Sequence, residues 1–504
     1  MQLFNRFKKI TAFTMIILMV GACTGDFEEM NTNPTLLTED GVQTSVLFTS
    51  VLKHSIFASY ENTGGRVGEF SQYYASQASG NLFSTSDYTS PFNWYRDYII
   101  NINEIIRLTA DDPQKTDQNA MARIWKVWVY HMMTDAYGDI PYFEAALGVD
   151  DVINQPKYDT QEAIYTDMLN ELKEAATQLG SLGDQESFGN SDILYQGNVE
   201  SWEKLANSLR LRLAIRVRFA NESLASQHIT DVVNAPLIDK NSENASLETL
   251  PPSESENSSN VNFVYNRNLT ATTPMFVGFA ITDVMIPTDD PRMPVFFTPS
   301  QDGEESYRGR PIQLAQGQKE PYGQEMVASV GPLLNADIYE IIVMNAAEVF
   351  FLRAEAAFAN ITGEDAEELY LMGIQHSMEQ YNVDESEVAD FLNEEGVVLE
   401  GSDEEQFEKI VTQKYIAMFF QGYQGWAEMR RTGYPKVWIG DEKGVVDHIP
   451  RRFTYPNDEF LKNEENVAAA ASAIGGDELD TKVWWDKRPG LPFEHPMQDV
   501  FPPN

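Results

Sequence analysis

SWEKLANSLRLRLAIRVRF, residues 201–219, is the stretch on which the fold class turns. Its middle, Leu209-Arg210-Leu211-Arg212-Leu213, alternates apolar and charged residues with a period of two, as a half-buried strand does. Leu, Arg and Ala are nonetheless strong helix formers. We therefore read the segment as a helix, and the surrounding sequence supports that reading.

Around Ala120–Tyr137, Ile124, Trp128, His131 and Met132 lie three or four residues apart, on one helical face. The next helix, Thr160–Leu179, has Asp159-Thr160 as caps, Pro156 ahead of them and a stripe of Ile164, Met168, Leu172 and Ala175. Residues 338–360, 363–382 and 403–421 read as three more helices; the first places Ala346, Phe350, Ala354 and Ala357 in small-large order. Paired helices with small residues where backbones approach predict a mainly α fold of tetratricopeptide-like helix pairs, although no full repeat signature is met. Residues 239–262 are polar, 263–335 mix aromatics with Pro and Gly, and the chain from Gly433 is irregular. These loop-rich segments are expected to pack on one side of the helical scaffold, with no linker dividing residues 23–504.

Residues 1–22 read as an export signal: Arg6, Lys8 and Lys9 precede an apolar run from Ile10 to Ala22, too short to span a bilayer. The run ends in Val20-Gly21-Ala22-Cys23, which resembles a bacterial lipobox, and the chain holds only this one cysteine. Cys23 is thus the expected lipidation site, and two or three acyl chains would anchor the protein nearly permanently. Asp26, Glu28 and Glu29 just beyond resemble the acidic tract of surface-exposed lipoproteins. Without residues 1–22 the chain carries 33 Lys and Arg against 77 Asp and Glu, a formal charge of −44. Such a surface argues against nucleic acid as a partner and mildly favours neutral over acidic ligands. With one cysteine, stability must come from buried apolar area, which about 480 residues with 12% aromatics can supply.

Catalytic constellations are not found. The sequence has no His-Glu-x-x-His helix, no Gly-x-Ser-x-Gly elbow and no phosphate-binding Gly-rich loop. The histidines at 54, 131, 228, 376, 448 and 495 are scattered without zinc-ligand spacing, and His131 reads as a satisfied core residue. A glycosidase needs two carboxylates flanking the bond, and nothing singles out a pair among 77 acids. No cofactor is expected. Asp150-Asp151, Glu254/Glu256 and Asp289-Asp290 offer carboxylates for a structural calcium but match no EF-hand loop, so exposed acidic loops are the simpler reading.

Aromatics outside the helical stripes carry more information. Tyr73, Tyr74, Phe83, Tyr88, Phe92, Trp94, Tyr95 and Tyr98 lie among Ser, Asn, Asp and Thr. A flat ring with a polar tip suits the apolar face of a sugar, while neighbouring amides and carboxylates take its hydroxyls. The candidate ligand-binding residues are Trp94 first, then Tyr95, Phe83 and Tyr74, with Arg66 and Arg96 assisting.

Several blocks together resemble the SusD/RagB family of Bacteroidetes outer-membrane lipoproteins. They include Tyr137-Gly138-Asp139-Ile140-Pro141-Tyr142, Pro156-Lys157-Tyr158-Asp159-Thr160-Gln161, Asn207-Ser208-Leu209-Arg210-Leu211-Arg212 and Arg353-Ala354-Glu355-Ala356. Gly425-Trp426-Ala427-Glu428, Arg430-Arg431-Thr432-Gly433-Tyr434-Pro435, Pro450-Arg451-Arg452 and Trp484-Trp485-Asp486 belong to the set, as do Glu144-Ala145, Trp202, Glu348, Gln413-Lys414-Tyr415 and Tyr455-Pro456, and the blocks run in family order. The resemblance implies a helical, tetratricopeptide-like, non-enzymatic protein. It would face the cell exterior as a lid on a SusC-type TonB-dependent transporter and pass it oligosaccharides, or in some members peptides. It also places residues 201–219 in a helix. A surface glycoside hydrolase is the rival from another class. The shared blocks are expected to be scaffold, with Gly138 and Pro141 at a helix end and turn, and Arg430 and Arg431 paired near the surface.

Overall fold

The computed structural model describes residues 43–76, 83, 88–147, 153–182, 187–251, 262–264, 267, 275–442 and 444–503. Contacts divide the chain into Met1–Val46 and Leu47–Asn504. Of the first unit only residues 43–46 are described, so the export signal and Cys23 lie outside the described residues.

The second unit is mainly helical. The N-terminal block comprises α1 (Thr44–Thr63), α2 (Arg66–Phe70), α3 (Ser90–Trp94), α4 (Ile100–Thr109), α5 (Thr116–Tyr137), α6 (Gln161–Ser181), α7 (Val199–Arg216) and α8 (Glu222–Val232). A π-helical turn, Tyr95–Ile99, joins α3 to α4. After α9 (Phe279–Met285) come α10 (Ala346–Phe358), α11 (Ala366–Gln380), α12 (Glu385–Phe391), α13 (Asp403–Ala417), α14 (Gly422–Thr432) and α15 (Glu464–Ala473). Consecutive helices pack as pairs, α5 on α6, α6 on α7 and α10 on α11, and α7 also meets α10, joining the two blocks.

Side-chain caps fix where these helices begin. Thr160 accepts from the Ala163 amide, Asn198 from Ser201, Asn345 from Glu348, and Asp365 from Glu367 and Glu368. Ser402 and Glu405 form a reciprocal capping box. Gly138 ends α5 with φ +88°, a left-handed conformation that glycine adopts without Cβ strain.

The strands are short. β1 (Tyr74–Ala75), β3 (Phe276–Val277), β5 (Ser329–Val330) and β4 (Phe297–Thr298) make an antiparallel sheet in the order β1-β3-β5-β4, and β2 (Ala245–Glu248) pairs antiparallel with β6 (Glu340–Met344). The helix expected from residue 338 therefore starts at Ala346, because Ile341-Ile342-Val343 is a β-branched run that finds a strand partner. Similarly, the stretch beyond Gly433 holds α15, built on an alanine-rich run.

The period-two alternation of α7 has a physical cause. Leu209, Leu211 and Leu213 are buried, and so are Arg210, Arg212 and Arg216. Arg212 pairs with Glu348 at 2.6 Å and Arg216 with Asp135 at 2.5 Å. The charged positions face acids on neighbouring helices and not water. In α5 the four-residue stripe also widens: Trp125, Val127, Val129 and Tyr130 are buried as well, and Trp125 stacks on Trp128 at 4.3 Å. A helix buried all round belongs to the interior of a large domain.

Candidate functional site

Beneath the site lies a buried ion network. Arg431 reaches Glu355 at 2.6 Å and Glu428 at 2.7 Å; Lys414 reaches Glu428 at 2.8 Å; Arg218 reaches Glu355 at 3.0 Å. Burial alone would raise the Glu355 carboxyl, but Arg431, Lys414 and Arg218 hold it down to about 2; Glu428 is lowered by the same kind of company. Arg430 lies over the Trp426 ring at 3.7 Å and donates to the carbonyls of Asp135 and Arg451. Both arginines are fully buried, so their expected surface position is corrected. A bare guanidinium cannot be placed inside without partners, and these partners come from α5, α10 and α14 and from the Arg451 backbone. His131 is a core residue, as its sequence position indicates. Gln424 donates to its Nε2, since the Gln424 carbonyl already accepts from Arg216, and burial holds the ring neutral.

Above α14 opens a cleft of about 770 Å³. Its floor is Met429, Arg430 and Gly433 from the end of α14, with Arg451 beside them. Its walls are residues 435–437, 439–442 and 444–449 and the C-terminal segment around Phe493. Backbone pairing holds these walls. Gly440 donates to Ile312 at 3.0 Å, Glu442 to Gln313 at 2.8 Å, and Val445 to Phe83 at 2.6 Å. The Gln498 amide closes a two-way pair with the Ile439 backbone, and Gln318 does the same with Asp441. Gly440 is required here: a Cβ would sit 2.3 Å from the Gln313 carbonyl oxygen.

The cleft is polar, with a partly apolar lip of Val445, Pro492 and Phe493. Carboxylates on its rim are Asp441, Glu442, Asp447, Asp480 and Glu494. The His448 ring beside Asp447 lowers that carboxyl. Such a surface can grip hydroxyls and amides from several sides while a half-buried ring covers an apolar face. Among the described residues no three His, Cys, Asp or Glu side chains gather to hold a metal. Asp290 is committed to Arg292, which binds both its oxygens, leaving Asp289-Asp290 a poor calcium site; Asp150-Asp151 and Glu254/Glu256 lie outside the described residues.

Of the aromatic and basic candidates, only Phe83 reaches this cleft, and it is buried under the Gly444-Val445 turn. Trp94 is 2% exposed, packed on Tyr98 and Tyr423, so its indole is part of the core and offers no open face. The polar neighbours that suggested an open ring belong to the other faces of the short helix α3. Tyr95 is partly buried and donates to the Pro141 carbonyl at 2.5 Å. Tyr74 is buried and accepts from Arg267, while Arg66 pairs with Glu69 and lies 5.7 Å from the Tyr88 ring centroid. Arg66 and Tyr74 thus share the surroundings of α2, where Glu69 faces both. Arg96 is exposed and bonded to Asp97. Sequence reasoning missed Glu442, Asp480, Phe493 and Glu494; the signal was the Gly/Asp-rich run 440–447, a loop composition inside an otherwise apolar segment.

Residues 35–456 match a SusD-like family model described as starch-binding, associating with the outer membrane. No curated protein matches the sequence. Among solved structures, a chitin-binding protein is 26% identical with a TM-score of 0.77, covering 88% of this chain and 100% of its own. A chitin-binding SusD homolog from Flavobacterium johnsoniae is 27% identical with a TM-score of 0.74, covering 89% and 98%. A SusD homolog from Bacteroides ovatus is 28% identical with a TM-score of 0.73, covering 88% and 99%. The helix pairs, the paired family blocks and a match over most of the sequence lead to one conclusion: this chain belongs to the SusD-like family.

Proposed function

We propose that the protein is a cell-surface lipoprotein, anchored through Cys23, that captures oligosaccharides and hands them to a SusC-type TonB-dependent transporter without cleaving them. The observation that carries the reading is a family match over residues 35–456 to starch-binding, outer-membrane-associated proteins. Two solved relatives described as chitin-binding support glycan over peptide as cargo. The polar cleft above α14 supports it further, since it presents carboxylates and backbone groups beside a half-buried ring. Among the described residues no helix is long and apolar enough to cross a membrane, which agrees with attachment by lipid.

Calorimetry with maltohexaose and an N-acetylglucosamine hexamer tests the capture step. Micromolar binding of at least one is expected, with no reducing ends released over hours. Binding of oligopeptides with both sugars silent would replace the reading by peptide capture; released reducing ends would make the protein a hydrolase. Labelled palmitate should enter the protein and be lost in Cys23→Ser, and co-purification with the proposed SusC-type transporter should survive that change in detergent.

A further inference from the structure

We propose that the cleft above α14 selects oligosaccharides by charge, taking amine-bearing sugars in preference to neutral ones and rejecting acidic ones. This rests on the glycan-capture reading and names the substrate class of that site.

The inference comes from which charges in the cleft are already compensated. Lys436 pairs with Glu408 at 3.2 Å, and Arg451 pairs with Asp486 at 2.7 Å. Neither carboxylate belongs to the cleft, so both cations are neutralised from behind. His448 is bonded to Asp447, and Asp441 accepts from the Gln318 amide. Glu442, Asp480 and Glu494 have no ion-pair partner among the described residues. Among the described residues, a ligand entering the cleft therefore meets a net negative rim.

The site does not stand on these acids alone. It is a half-open cleft with volume for several sugar rings, and Phe493 and Pro492 form an apolar lip. Arg430, wholly buried in the floor, has an Nη2 without an acceptor, while its other donors are used on backbone carbonyls. An unsatisfied buried donor is costly, and a sugar hydroxyl or acetamide oxygen would satisfy it. The five carboxylates lining the cleft outnumber this one guanidinium, so the cleft stays net negative while its floor offers a hydrogen bond. An amine above the rim and an oxygen at the floor are both features of an amino-sugar oligomer.

The test compares three hexamers on the full chain in detergent at pH 6, where glucosamine is protonated: glucosamine, N-acetylglucosamine and galacturonic acid. Glucosamine hexamer should bind about tenfold more tightly than the N-acetylated one at low salt, since the exposed Asp480 and Glu494 and the half-buried Glu442 each contribute up to about fivefold. The gap should narrow to about twofold in 0.5 M NaCl, and the acidic hexamer should be silent. The triple variant Glu442→Gln, Asp480→Asn, Glu494→Gln should bring the ratio of the two affinities near one without lowering the melting temperature. Tight binding of the galacturonic acid hexamer overturns the inference. So does an N-acetylglucosamine hexamer that binds as tightly as glucosamine, or a ratio unchanged in the variant, and each leaves glycan capture standing. If these three and maltohexaose are all silent, glycan capture falls and the charge preference falls with it; if maltohexaose alone binds, capture stands and the charge preference is overturned.

Discussion

At the scale of single residues, burial decides what each side chain is for. Trp94 packs on Tyr98 and Tyr423 with 2% exposure, so Trp94→Ala removes core volume. It should cost about 3–5 kcal/mol in urea denaturation while leaving glycan affinity in the surviving folded fraction within twofold. A variant of unchanged stability that no longer binds sugar would return the ring to the ligand. Arg431 is the sharper case: it is fully buried between Glu355 and Glu428, and removing it strands two carboxylates inside. Arg431→Gln should cost about 3–5 kcal/mol, and a loss under about 1 kcal/mol would show that Lys414 and Arg218 suffice. These residues also show what a sequence conceals. That rings lie at 73–98 is legible; whether a ring faces solvent depends on Tyr423, which is hundreds of residues away in the chain. Pairing of Arg430 and Arg431 with acids and carbonyls follows from their chemistry, but their depth follows only from the helices assembled around them.

Among the elements, local chemistry predicts starts better than it predicts neighbours. The helix at 161–181 was legible to within two residues because Thr160 is a capping side chain ahead of a regular stripe. Thr160→Ala should therefore cost about 1 kcal/mol, and Asp365→Ala, which caps two amides of α11, should cost about as much by the same urea measurement. Equal stability in both variants would mean that packing alone sets these starts. Glu340–Met344 was not legible as a strand, since Ile341-Ile342-Val343 continues smoothly into the apolar face of α10 and its partner, β2, lies about ninety residues earlier. The cleft was hidden for a related reason. Its walls come from residues 435–449 and the segment around Phe493, joined by backbone pairs to residues 312–313 and Phe83, and no local pattern announces such pairings.

For the whole molecule, the decisive quantity is how stability follows pH, because the surface and the interior titrate in opposite senses. Between pH 7 and about 5, a chain with 77 acids against 36 Lys and Arg loses part of its self-repulsion as exposed carboxylates begin to protonate. Asp139, Asp167 and Glu459, each raised chiefly by burial, act in the same direction: protonation becomes easier in the fold than in the unfolded chain, so falling pH adds stability. The interior network behaves in reverse. Glu355 is held down to about 2 and Glu428 lower still, against an ordinary glutamate value of 4.5. Their contribution is complete above that ordinary value and is lost as pH falls from about 4.5 through 2, when the unfolded chain takes protons that the fold refuses. The melting temperature should thus hold or rise from pH 7 to 5 and drop steeply below 4. Adding 1 M NaCl, with a Debye length of about 3 Å, should flatten the first limb and leave the second, because exposed charges are screened and the buried pairs are not. Scanning calorimetry from pH 7 to 3 at two salt concentrations measures both limbs. A steep acid limb that vanished in salt would place the sensitive carboxylates on the surface, and the buried Glu355–Arg431–Glu428 network would then not be what holds α10 and α14 together.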